Sequence, residues 1–372
     1  MLPAQRPARD ARFRRGGSVI ASADTSPTRL VLLPEDEYCH EPDPAPNYNE
    51  SMYFNVFDAV QRVGGWFRIG NRVNEGHAEM SNCIYLPDGR IAFMFGRPRI
   101  TDNREMRAGG MHIEVITPFE RQRVRYEGRV CLLERPQEMA DPRSAFRNNP
   151  MVPCTVDLDY RGVAPMYGGR PVLADGSEPA VDDEKSFAKA HYEQHVAASG
   201  RIRVGDESFE IDGLGLRDKS WGPRYWQAIH WYRWLPLNFG RDFAMAISVI
   251  ADEEGRRKHG GMVLRDGAYV PIRETRLETT WDEDDVPSAL RATVVTDDRS
   301  YALEGRVLSS IPLRNRRRRP DGSWMTTRIT EGMSEFRCEG RTGYGLAEYL
   351  DQMVDGRPVG LSKADDGPRT AG

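Results

Sequence analysis

The chain predicts a mainly all-β fold, two antiparallel barrel or sandwich domains with few short helices. Three observations predict it. The sequence has 372 residues, and a domain usually takes roughly 100–200, so two are expected, each able to bury a core. Short runs rich in aromatic and β-branched residues recur between turn residues. There is no βαβ rhythm, no Gly-x-Gly-x-x-Gly and no phosphate-binding loop, so the usual nicotinamide, flavin and nucleotide sites are not expected.

The elements follow in order. Residues 1–27 carry Arg6, Arg9, Arg12, Arg14 and Arg15 without an apolar run behind them, which reads as a disordered basic tail rather than a secretory signal. The first domain is expected over 28–205. Within it, Gly64–Gly70 reads as a strand and Asn82–Phe95 as a hairpin turning on Asp88-Gly89; His112–Thr117 and Arg123–Leu133 are further strands. Asp141–Glu184 is rich in Pro, Gly and Asp and reads as a long irregular connection. Glu184–Ala198 fits a helix by composition and a strand by alternation. The second domain is expected over 206–358, with Ile202–Val204 and Phe209–Ile211 flanking a Gly205-Asp206 turn. Tyr225–Leu235, Phe243–Ile250, Gly261–Leu264, Leu290–Val295 and Tyr301–Val307 follow as strands. Arg314–Arg319 reads as a solvated hairpin tip, and 359–372 as a second disordered tail.

Composition narrows the class. Hydrophobic residues make up 39%, charged residues 29%, and the net charge is −4, which fits a soluble globular protein and not a nucleic-acid binder. No run of about 18 apolar residues is present to span a bilayer. The five cysteines are odd in number and widely spaced, without Cys-x-x-Cys. They read as reduced thiols of a cytoplasmic protein, with no zinc knuckle.

The chemistry concentrates in Asp212–Trp226, where Arg217, Asp218, Lys219, Ser220 and Arg224 lie among glycines and tryptophans. Charges held against aromatic surface are partly desolvated, so an Asp there can be a proton donor, or be kept ionised by a neighbouring Arg. With Arg224–Leu235 taken as one strand, parity puts Arg224, Trp226, Ala228, His230, Tyr232 and Trp234 on one face, the candidate pocket wall. His191, Tyr192, Glu193 and His195 form a second polar and aromatic set. Two histidines four apart without an evident third ligand do not make a metal site. Glu348 lies beside aromatics and glycine and is a weaker pocket candidate.

The run Gly213-x-Gly-x-Arg-Asp-Lys-Ser-Trp-Gly-Pro-Arg224 resembles the signature of the AttH and carotenoid-hydratase group of lipocalin-like proteins. His191–His195 and Gly343–Tyr349 are similar to flanking motifs of a bacterial branch. The resemblance covers roughly residues 50–352 and is sharpest over His191–Trp226 and Glu331–Tyr349. It implies two lipocalin-like β-barrel domains, hydratase, cyclase or isomerase chemistry, and no organic cofactor. The branch often carries His where this chain has Lys219, which keeps a positive charge but exchanges protons poorly near neutrality.

The leading expectation is a cofactor-independent lyase, hydratase or isomerase acting on an isoprenoid, steroid-like or lignin-type aromatic molecule. Asp218, His230, Arg217 and Arg224 are the catalytic candidates. Trp221, Trp226, Tyr232, Trp234, Lys219, His191, Tyr192 and Glu348 are the substrate-binding candidates. No metal or cofactor is expected, and the partner is a hydrophobic small molecule, with a homodimer left open. The rivals are a lipocalin-like carrier, whose buried charges would be structural, and a cyclase or isomerase of natural-product biosynthesis.

Overall fold

A computed structural model describes residues 29–180, 187–318 and 322–361. Among these, two antiparallel sheets of twelve and ten strands form the molecule. The expected mainly-β, two-domain fold is what the chain adopts; the one α-helix among the described residues, Pro142–Asn148, is a two-turn piece between strands.

Eight strands of the first sheet close into a barrel. Going round, Ala190–Val204 pairs with Glu207–Pro223, then Tyr48–Asp58, Val63–Arg72, His77–Tyr85, Ile91–Gly96, Arg121–Leu133 and Met151–Gly162, which returns to Ala190–Val204. Closure removes the exposed strand edges. Phe54, Phe67, Leu158, Tyr160 and Val196 fill the interior. The second sheet starts at Trp231 and curves round a core that includes Leu235, Leu237, Trp281, Phe336 and Tyr349.

The two sheets meet through outward-facing side chains of the first barrel. Tyr53, Phe57, Trp66 and Tyr85 of the first pack with Met333 and Leu346 of the second. The His195 backbone N–H bonds the Tyr269 hydroxyl at 3.0 Å, also across the junction. A fully buried large side chain contributes roughly 1.5–3 kcal/mol, so this junction is a third core rather than a loose contact.

Several expectations are corrected here. Asp141–Glu184 is not an irregular connection: it holds the Pro142–Asn148 helix and the strands Met151–Gly162 and Tyr167–Val172. The signal was alternation, because Cys154, Val156, Leu158 and Tyr160 point into the barrel while Pro153, Thr155 and Asp157 face solvent. Of the two readings of Glu184–Ala198, the strand holds from Ala190. The break expected at 205/206 falls at the tip of a hairpin whose strands share one sheet; the chain changes sheet between Pro223 and Trp231. For that reason Arg224–Leu235 is not one strand. Pro223 has no N–H to extend a ladder, a 3-10 turn occupies Trp226–Ala228, and the strand proper is Trp231–Asn238. Val359–Leu361, expected in a tail, form a 3-10 turn tied by the Gly360 N–H to Asp351 at 3.0 Å. The tails expected over 1–27 and 362–372 lie outside the described residues.

All five cysteines are free thiols, as expected of reduced side chains. No helix among the described residues is long and apolar enough to cross a membrane.

Candidate active site between the two barrels

Parity in the long hairpin divides its charges. In Glu207–Pro223, Arg217, Lys219 and Trp221 point into the first barrel, whereas Asp218 and Ser220 point out towards the second. The same division on the partner strand sends Tyr192 and Gln194 inward and His191, Glu193 and His195 outward.

The inward charges are paired with opposite charges, although Arg217 Nη2 is buried without an acceptor. Arg217 Nη1 donates to Glu37 at 2.6 Å and Arg217 Nε to Gln194 at 2.7 Å. Glu37 also accepts from the Tyr192 hydroxyl, from Gln122 at 2.7 Å and from the Phe119 N–H at 2.8 Å. Lys219 Nζ reaches Glu50 at 2.8 Å and donates to the carbonyls of Asp36 and Tyr38 at 2.6 and 2.5 Å. Burial would raise the Glu50 carboxyl, but Lys219 and His40 overcome it and hold it at about 2. Trp221 stacks on His40 at 4.2 Å in the same region. The expectation that Arg217 tunes Asp218, and that Lys219, Trp221 and Tyr192 share its pocket, is therefore corrected: adjacent residues of a strand face opposite ways, and these four belong to the plug of the first barrel.

Two rows of side chains confront each other across the junction. Register sets Glu193 opposite Asp218, Asp218 opposite Tyr53, and Tyr53 opposite Arg68 on the first barrel. On the second, Trp234 stands opposite Glu348 and Glu348 opposite Glu331. The rows touch where Trp234 Nε1 donates to Glu193 at 2.7 Å and where Tyr53 meets the Trp234 ring edge-on at 5.4 Å. Asp218 bonds the His191 ring, and Tyr232 donates to Glu348. Trp226 closes one end, with Phe187 edge-on at 5.4 Å and Arg224 over its ring at 5.3 Å.

The electrostatics of these rows are unbalanced. Burial is the largest influence on Glu331, Glu348 and Glu193, and pushes all three carboxyls up. Glu331 also feels the charge of Glu348 directly opposite it, since like charges facing each other in an antiparallel pair are unfavourable. For His191, desolvation favours the neutral ring, but Asp218 and then Glu193 outweigh it and raise it to about 9. The His191 side chain keeps 47% of its surface accessible, although desolvation weighs most on its basicity. The ring is thus reachable from solvent while bonded to Asp218.

His191, Glu193 and Asp218 place a ring nitrogen and carboxylate oxygens within 4.8 Å of one another, a donor set for a cation among the described residues. The third ligand missing from the sequence reading came from across the hairpin. His195 is not part of it; its ring lies against Tyr269.

Of the expected site residues, the structure brings together Asp218, His191, Arg224, Trp226, Tyr232, Trp234 and Glu348. His230 is left out: it precedes Trp231–Asn238, and its described bonds are backbone ones to Ala251 and Gln352. Sequence reasoning missed Glu331, Arg68, Tyr53 and the importance of Glu193. Counting outward from the turns at Gly205-Asp206 and Glu339-Gly340 pairs Glu193 with Asp218 and Glu331 with Glu348, so two of the four were within reach.

Comparison with known proteins agrees with this architecture. A candidate AttH from Nitrosomonas europaea is similar over 87% of this chain and 96% of its own, with a TM-score of 0.56 and 14% identity. CghA with Sch210972 is similar over 84% of this chain and 90% of its own, with a TM-score of 0.49 and 13% identity. Curated protein sequences offer no match. The fold is that of the AttH-type lipocalin-like proteins. Residues 33–353 match the family described as a domain of unknown function, DUF7064, and the chain belongs to that family.

Proposed function

We propose that the protein is a cofactor-independent acid–base enzyme, a lyase, hydratase or isomerase, and that an apolar small molecule is taken into a recess between the two sheets, where the two rows of side chains face each other. The observation that supports this most is the confrontation of the bonded His191–Asp218 pair with the buried, directly opposed carboxyls of Glu331 and Glu348, both pushed up by burial. Two sets of titratable groups whose surroundings push them to different protonation states are what proton shuttling needs. Glu348, whose carboxyl burial pushes up to about 7, is the proton donor; Asp218, bonded to the His191 ring, is the acceptor. A proton given by Glu348 to one carbon and taken by Asp218 from another isomerises the substrate. In a hydration, Asp218 takes its proton from the attacking water instead. Tyr53, Trp226, Tyr232 and Trp234 supply the apolar wall, and their π faces favour transient positive charge on the substrate.

The test is a mass-spectrometric screen of the purified protein with pooled terpenoid, steroid and aromatic compounds, with no cofactor added, beside Asp218→Asn. A product formed by the wild type and at least about 100-fold more slowly by the variant is expected. A compound retained and returned unchanged by both proteins would make the protein a carrier.

A further inference from the structure

Four arginines are buried among the described residues: Arg72, Arg217, Arg224 and Arg233. Three have a carboxylate. Arg72 pairs with Glu75 at 2.5 Å, Arg217 with Glu37 at 2.6 Å and Arg233 with Asp351 at 3.0 Å. Arg224, 8% exposed, has none within 4 Å among the described residues. Its Nη2 donates to Ser220 Oγ at 2.7 Å, and its Nε is buried without an acceptor. The guanidinium lies over Phe187 at 4.2 Å and Trp226 at 5.3 Å, contacts that favour the charge but accept no hydrogen bond in its plane. Arg68 lies over the same Trp226 ring at 5.8 Å; its Nη1 pairs with Glu79 at 3.5 Å, while its Nη2 is buried without an acceptor. A second cation beside the first adds repulsion where pairing is needed. Desolvation and then Arg68 pull Arg224 down to about 10. Burying an unpaired charge is strongly unfavourable, and such a group normally has an explanation outside the protein's own hydrogen bonds.

We infer that Arg224, with Arg68 across Trp226, receives an oxyanion of the substrate, so that the molecule taken into the recess is an apolar acid rather than a neutral hydrocarbon. This rests on the reading of the recess as the substrate site and adds the chemical class of its occupant. The guanidinium fork suits a carboxylate or sulfonate, whose oxygens would take the idle N–H groups of both arginines. Held there, the anion would fix which carbon of the apolar body faces Asp218 and Glu348.

Two fluorescent probes with the same ring body separate the possibilities: 8-anilinonaphthalene-1-sulfonate, an anion, and N-phenyl-1-naphthylamine, which is neutral. The wild type should bind the sulfonate at least about tenfold more tightly, the scale of one charge-assisted hydrogen bond. Arg224→Met should remove that preference and leave the neutral probe within about twofold. Arg224→Lys, which keeps the charge without the fork, should fall between and serves if the Met variant melts early. Equal wild-type affinity for the two probes, or equal weakening of both by Arg224→Met, would overturn the anion site and leave the recess standing. Saturable binding of neither probe would overturn both.

Discussion

Arg217 and Asp218 are neighbours in the chain and face into two different environments. Inside the first barrel, each of the charges Glu37, Arg217, Glu50 and Lys219 has an opposite charge and several hydrogen bonds. Between the two sheets, two carboxyls share a strand pair, an arginine has no carboxylate among the described residues, and a histidine and an aspartate lie partly open to solvent. Both regions are polar and enclosed, so burial alone does not distinguish structure from chemistry. Compensation does. A charge-paired network holds the barrel end in place, and one short of opposite charges retains the energetic imbalance that a substrate or a proton can relieve.

The contrast can be broken by substitution. Arg217→Met would leave Glu37 buried without its cation and should cost about 3–5 kcal/mol, read by urea unfolding. Asp218→Asn should stay within about 1 kcal/mol of wild type, in line with an amide that can still accept from His191, while turnover collapses. Comparable losses of stability in the two variants would erase the distinction between plug and site.

Glu331→Gln sharpens it from the other side. A carboxyl raised in the folded state contributes stability below its unfolded value, near 4.5, and that contribution is lost as pH rises. Replacing it with an amide should therefore stabilise the protein by about 1 kcal/mol at pH 8, with little effect at pH 4, and lower turnover. A variant less stable than wild type at pH 8 would show that the facing carboxyls are not strained.

The smallest effect is expected of His191. Its raised value of about 9 means that its contribution is complete below about 6.5 and is lost as pH rises through 9. Thermal melts of wild type should fall more steeply over that interval than those of His191→Gln. The difference is modest because the ring is half-exposed. Parallel curves would place the titration elsewhere.

Strand alternation and turn residues made most of the architecture legible. Asp88-Gly89 and Gly205-Asp206 each marked a real hairpin tip. Met151–Gly162 was overlooked because its Pro and Asp residues sit on the solvent face, where they do not disturb the alternation of Cys154, Val156, Leu158 and Tyr160. Within the site, Asp218, Arg224, Tyr232, Trp234 and Glu348 were recognisable as charged or aromatic residues out of place. Glu331 could be reached only by counting the register from the Glu339-Gly340 turn, and Arg68 not at all, because it lies far from Asp218 in sequence and joins it through the intervening strand Tyr48–Asp58. His230 was drawn in by a parity count that ran straight through a change of sheet.

The Glu207–Pro223 strand serves both regions at once, so it has almost no tolerance for a change of length. Deleting or inserting one residue between the Gly205-Asp206 turn and Arg217 would exchange the two faces. Asp218 would be driven among the carboxylates of Glu37 and Glu50, and Arg217 would be delivered to the open recess. Such an indel would lose folding and catalysis together, even though every side chain of the motif was still present. Natural length variation in this family should accordingly collect in the turns that flank the hairpin and spare its interior.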